Sequence, residues 1–125
     1  MIYDTATSPY IRVMDNSLLC ELIHPGKTQD DIKIRYRLAH VFVLKGESTL
    51  PRLLKNSAEV YYMIRGQGLM HIDEQADSID AGQAVVIPAG SVQFISNTGE
   101  KDLEFLAIVD PMWDKADEIC IPCNR

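Results

Sequence analysis

Gly46-Glu-Ser-Thr-Leu-Pro51-Arg52-Leu53-Leu54-Lys-Asn-Ser-Ala-Glu59 runs on through Tyr61 and Met63 to Gly66, and Gly82-Gln-Ala-Val-Val-Ile-Pro88-Ala-Gly90-Ser-Val-Gln93-Phe-Ile-Ser-Asn97 follows it. Both stretches set short runs of β-branched and aromatic residues between glycines and a proline. That is the composition of brief strands joined by tight turns. Pro88-Ala-Gly90 suits a type II turn, in which glycine supplies the positive φ.

Working outward, residues 59–64 read as a strand ending at Gly66-Gln-Gly68, a tight hairpin signal. Residues 69–73 and 78–80 flank a further turn, and 84–87, 92–96 and 103–109 read as more strands. Upstream, residues 32–44 alternate with period two, placing Ile34, Tyr36, Leu38, His40, Phe42 and Leu44 on one parity. An apolar run at 17–23 is stopped by the turn His24-Pro25-Gly26. Tyr3, Tyr10, Ile11 and Val13 suggest an extra edge strand within 1–16. In the tail 111–125, Pro111 can open a helical turn or two, and Trp113 can dock it on the barrel or a partner subunit. The expectation is an all-β chain forming one domain over 1–125, with its barrel at about 34–110.

At 125 residues the chain has the size of one domain able to bury a core. Apolar residues at 46% and charged residues at 24% match a globular protein, and a net charge of −6 argues against nucleic-acid or anionic-membrane surfaces. The start lacks the pattern of a secretory signal, and no apolar run approaches the roughly 20 residues that span a bilayer. A cytoplasmic location is the default expectation. Cys120 and Cys123 form a C-x2-C pair without a second pair, too few ligands for a zinc knuckle. Cys20, among leucines, reads as a buried small hydrophobe.

The spacing of the two opening stretches resembles the paired motifs of the cupin family, G-x5-H-x-H-x4-E-x6-G and G-x5-P-x-G-x2-H-x3-N. The glycines, Pro88, Glu59 and Asn97 fall in register, while the three histidine positions hold Arg52, Leu54 and Gln93. The resemblance implies a double-stranded β-helix, a jelly-roll barrel, with a small-molecule site in its lumen. In a typical member three histidines and the glutamate hold a divalent metal. Here Leu54 cannot ligate, Arg52 repels a cation and Gln93 offers only an amide oxygen, so neither a metal nor another cofactor is expected.

If Glu59 points inward, as the resemblance implies, strand alternation sends Tyr61 and Met63 inward too, and places Gln93, Ile95 and Asn97 on a common face. His40 is assigned to the lumen with Leu38 and Phe42, with Tyr36 as a further candidate. The expected ligand-binding residues are Glu59, Gln93, Tyr61, His40 and Arg52. Arg52 has three readings: paired with Glu59, free as a clamp for a carboxylate or phosphate, or exposed after Pro51. Glu59 is either an acid–base group or a carboxylate satisfied by Tyr61, Gln93 or Arg52. Asp15 reads as a solvated loop charge, His24 as a turn residue and His71 as an outer-face residue.

The leading functional expectation is a small polar molecule bound in the lumen without the usual metal, and a homodimer by analogy with small cupins. The alternatives are a metal-dependent isomerase, lyase or dioxygenase with a site rearranged around Glu59 and His40, and an assembly protein with a plugged lumen.

Overall fold

Period-two alternation in the chain becomes two facing antiparallel sheets. The computed structural model describes residues 1–121. Its strands are β1 (Ile11–Arg12), β2 (Leu18–Ile23), β3 (Arg37–Val43), β4 (Arg52–Leu54), β5 (Ala58–Arg65), β6 (Gln67–Ile72), β7 (Gln75–Asp80), β8 (Ala84–Ile87), β9 (Gln93–Asn97), β10 (Leu103–Asp110) and β11 (Glu118–Cys120). One sheet has the order β1-β2-β3-β10-β5-β8 and the other β11-β4-β9-β6-β7. The chain passes back and forth between them, which makes the jelly-roll barrel expected from the motifs.

The core lies between the sheets, where Val41, Met63, Met70, Ile95 and Phe105 are all but inaccessible. Burying each such side chain contributes about 1.5–3 kcal/mol. The Tyr61 and Phe105 rings pack with centroids 4.4 Å apart.

Gly66-Gln-Gly68 is not a hairpin. β5 pairs with β10 and β8, whereas β6 pairs with β7 and β9. Gly66, at φ +94, carries the chain from one sheet to the other. A Cβ there would lie 3.0 Å from the Asp102 carbonyl and 3.1 Å from Leu103 Cα. The local signal marked a reversal correctly but could not say whether the strands beyond it would pair. The β6–β7 turn is a true hairpin.

The ends of the described chain differ in part from expectation. The extra N-terminal strand is reduced to Ile11–Arg12, paired with β2. The tail forms one 3-10 turn, Lys115–Asp117, capped by the Asp114 side chain, and then pairs β11 with β4. Trp113 docks on the barrel: its indole N–H donates to Glu118 at 2.7 Å, and Lys27 Nζ lies 4.8 Å from the ring centroid. Cys20 is fully buried. Cys123 lies outside the described residues, so the C-x2-C pair has no structural description.

Candidate functional site

Three strands bring their inward side chains to one point in the barrel. β5 turns Glu59, Tyr61 and Met63 inward, β9 turns in Gln93, Ile95 and Asn97, and β4 turns in Arg52 and Leu54. Arg52 is 5% exposed and Glu59 and Gln93 1% each, so the exposed reading of Arg52 is overturned.

Arg52 Nη2 donates to both Glu59 oxygens at 3.0 Å and to the Tyr61 hydroxyl at 3.3 Å. Gln93 Nε2 donates to Glu59 at 2.9 Å, and Tyr61 in turn donates to the Gln93 amide oxygen at 3.3 Å. Arg52 Nε reaches Asp15 at 3.2 Å and Nη1 reaches Glu118 at 3.5 Å. Leu54 fills the adjoining position with an apolar side chain, 4% exposed. Asn97 closes a turn, donating to the Val43 and Lys101 carbonyls and accepting from Gly99 N–H.

The electrostatics follow from burial and charge. Burial alone would depress the guanidinium of Arg52, but Glu59, Tyr61, Asp15 and Glu118 outweigh it and hold the group well above its ordinary value. Burial pushes the Tyr61 phenol upward, Glu59 adds to the push, and Arg52 opposes it. At neutral pH this is therefore a permanently charged guanidinium held by carboxylates, beside a phenol that keeps its proton.

His40 is not in the lumen. The inward parity of β3 is Arg37, Ala39, Val41 and Val43. His40 faces outward, with Nδ1 on the Tyr10 hydroxyl and Nε2 2.6 Å from a Glu104 oxygen, in a cluster with the Tyr10 and Phe42 rings. Both parities of β3 are apolar because the N-terminal segment covers the outer face, so hydrophobicity did not reveal which side was in. Tyr36 precedes the strand and is 39% exposed, outside the lumen as well. His24 is a turn residue as read, accepting from Gly26 N–H through Nδ1 and meeting the Trp113 carbonyl through Nε2. His71 stacks on Phe94 at 3.9 Å.

The sequence reading missed three site residues. Asp15 is 8% exposed; one of its oxygens accepts from the Ser17 N–H and hydroxyl, and the other meets Arg52. The Asp-x-Ser pattern is the only local sign of that turn. Glu118 arrives on β11, and Arg37 is 3% exposed and bound to Glu21 at 2.8 Å. No local sequence feature marks either.

Beside Arg52 lies a cavity of about 360 Å³. Its apolar walls are Ile11, Val13, Met14, Leu19 and Trp113, and its polar groups include Asp15, Glu21, Arg37, Arg52 and Glu118. Glu59, Tyr61 and Gln93 stand behind Arg52, enclosed in the barrel. A second cavity of about 640 Å³ lies between β7 and β8, lined mostly by apolar groups such as Met70, Ile79 and Val85. Among the described residues no group of three or more His, Cys, Asp or Glu is placed to hold a metal ion.

Residues 39–109 match the cupin domain, and the chain belongs to this family. It is 31% identical over 109 residues to an uncharacterised protein of Methanocaldococcus jannaschii, covering 87% of this chain and 84% of that one. A Thermotoga maritima protein described as a predicted oxalate decarboxylase superposes with a TM-score of 0.76 at 23% identity, over 89% of this chain and 99% of its own. Streptomyces Pac13, a nucleoside dehydratase, superposes with a TM-score of 0.75 at 17% identity, over 96% of this chain and 89% of its own. At such identities the two structures show the fold alone. Among the described residues no helix is long and apolar enough to cross a membrane.

Proposed function

We propose that this cupin binds a small polar molecule in the cavity beside Arg52, without a metal at the family's usual position. The observation that carries the reading is the guanidinium of Arg52, seated with both Glu59 oxygens at 3.0 Å. A permanent cation already satisfies the one carboxylate that the motif supplies. Leu54 has no lone pair to give, and Gln93 already bonds Glu59 and Tyr61. This donor set does not fit a first-row divalent ion. With His40 on the outer face, a site relocated around His40 and Glu59 also lacks its imidazole.

In this reading Glu59, Tyr61 and Gln93 orient Arg52, which is the member of the cluster that meets the cavity. The cavity volume is at the lower end for small-molecule sites. The relatives are described as acting on or binding chemically different molecules, which fits a scaffold whose ligand is set by side chains at the site. A cytoplasmic homodimer completes the proposal. Its partner surface is the outer face of β5 and β8, where Tyr62, Ile64 and Val86 are exposed; wild type sedimenting as a dimer and V86K as a monomer would support it, and a monomeric wild type would overturn it.

Elemental mass spectrometry of untagged protein, purified without added metal or chelator, tests the central claim. Trace metal is expected. Near-stoichiometric zinc, iron, manganese or nickel would overturn it.

A further inference from the structure

One buried donor at the cavity has nothing to bond. Arg37 opens β3 on its inward parity, is 3% exposed and lines the cavity. Its Nη1 donates to Glu21 at 2.8 Å. Its Nε is the only buried side-chain nitrogen among the described residues without a hydrogen-bond partner. A buried N–H of a charged group is costly to leave without an acceptor, and native folds carry few of them. A guanidinium receives a carboxylate through two parallel N–H groups, and the edge that includes Nε is one of the places where it does so.

The surrounding charges favour the same partner. The lining carries four cationic side chains, Lys27, Arg37, Arg52 and Lys115, and three carboxylates, Asp15, Glu21 and Glu118. They fall into two groups. Arg52 is held by Asp15 and Glu118 and, from behind, by Glu59, so its charge is fully answered. Arg37 and Lys27 share Glu21, the lysine at the long distance of 3.5 Å. Both lie beside the Trp113 ring, Lys27 Nζ at 4.8 Å and Arg37 Cζ at 6.0 Å from its centroid. Lys115 is exposed and forms no ion pair among the described residues. The group at Arg37 thus sets two cations against one carboxylate, with a further lysine in the lining.

We infer that the cavity takes a small organic carboxylate, its head on the Nε edge of Arg37 with Lys27 as a second cation, and its short apolar body against Ile11, Val13, Met14 and Leu19. This rests on the small-molecule reading above and gives that ligand a charge and a point of attachment. An ammonium has no acceptor to offer Nε. A neutral hydroxyl has one, but it leaves two cations against a single carboxylate.

Trp113 is the only tryptophan in the chain and its ring lies beside both cations, so its indole N–H gives a single resonance that reports on this group. Isovalerate, isoamylamine and isoamyl alcohol, similar in size and different in charge, are titrated at millimolar concentration in low salt while that resonance is followed. Isovalerate should shift it saturably, and the other two should bind about tenfold more weakly or not at all. Arg37→Lys keeps the charge but loses the Nε–H, and should weaken isovalerate binding about tenfold. Lys115→Gln, a change at an exposed position, should leave the fold intact and weaken it about twofold by removing a favourable charge. It serves as the readout should Arg37→Lys fail to fold. Unchanged isovalerate binding by folded Arg37→Lys, or by Lys115→Gln in its place, overturns the attachment at Arg37. The amine or the alcohol binding as tightly as isovalerate overturns the carboxylate assignment and leaves a small-molecule site. A shift with none of the three overturns both.

Discussion

Replacing Arg52 by methionine removes the one cation shared by Glu59, Asp15 and Glu118 while keeping an unbranched side chain. The closest contacts are the two of 3.0 Å to Glu59, and at an effective dielectric near 20 a charge pair at that separation is worth about 5 kcal/mol before desolvation. Burying the guanidinium costs several kcal/mol, so the net value of the pair is small. The damage comes from what remains: among the described residues, Glu59 is left buried with only Gln93 donating to it. Breaking a buried pair on one side typically costs about 3–5 kcal/mol. In a domain of this size that lowers Tm by about 15 °C. The R52M/E59M double variant also removes the stranded carboxylate and puts apolar volume in its place. It should regain about half of the loss, the rest belonging to Asp15 and Glu118. Urea denaturation with thermal melts of wild type, single and double variants gives the comparison. A cost below about 1 kcal/mol for R52M, or a double variant no more stable than the single, would refute the account of this cluster.

Three further expectations concern other parts of the molecule. Because burial and Glu59 raise the Tyr61 phenol, its contribution to stability is complete below the ordinary tyrosine value near pH 10 and is lost as pH rises beyond it, where the unfolded chain ionises first. Phenolate absorbance should show Tyr61 ionising only with unfolding, and Y61F should flatten the alkaline loss. Removing the hydrogen-bonded bridge that His40 makes between Tyr10 and Glu104, by H40A, should cost about 1–2 kcal/mol and raise hydrogen exchange at residues 9–13, with little change inside the barrel. Gly66→Ala should cost at least about 2 kcal/mol, since a strained φ adds to contacts at 3.0–3.1 Å, whereas Gly46→Ala, at φ +79 with open space around it, should cost about 1 kcal/mol by chemical denaturation.

Much of the barrel was legible because two glycine-bounded motifs fix their own registers. Strand parity then placed Glu59, Tyr61 and Gln93 inward together. The same reasoning failed at β3. There Leu38 and Phe42 on one side and Ala39, Val41 and Val43 on the other are all apolar, the outer set being covered by the N-terminal segment. Arg37 on the inner parity made the wrong side look the more hydrophobic. Arg52 was ambiguous because a guanidinium after a proline looks like a surface loop until its carboxylates are counted. Two of those, Asp15 and Glu118, lie far away in sequence, and neither local composition nor periodicity reports a charge pair formed across the barrel.

The partners of Arg52 are separated from it by 37, 7 and 66 residues, for Asp15, Glu59 and Glu118 in turn. A junction drawn from four separate segments cannot assemble until the loops between them have closed, so it belongs to the late side of the folding barrier. Arg52 variants should accordingly leave the refolding rate nearly unchanged and express their loss as faster unfolding. The charge cluster then acts as a latch on the finished barrel, governing how long the native state persists once formed.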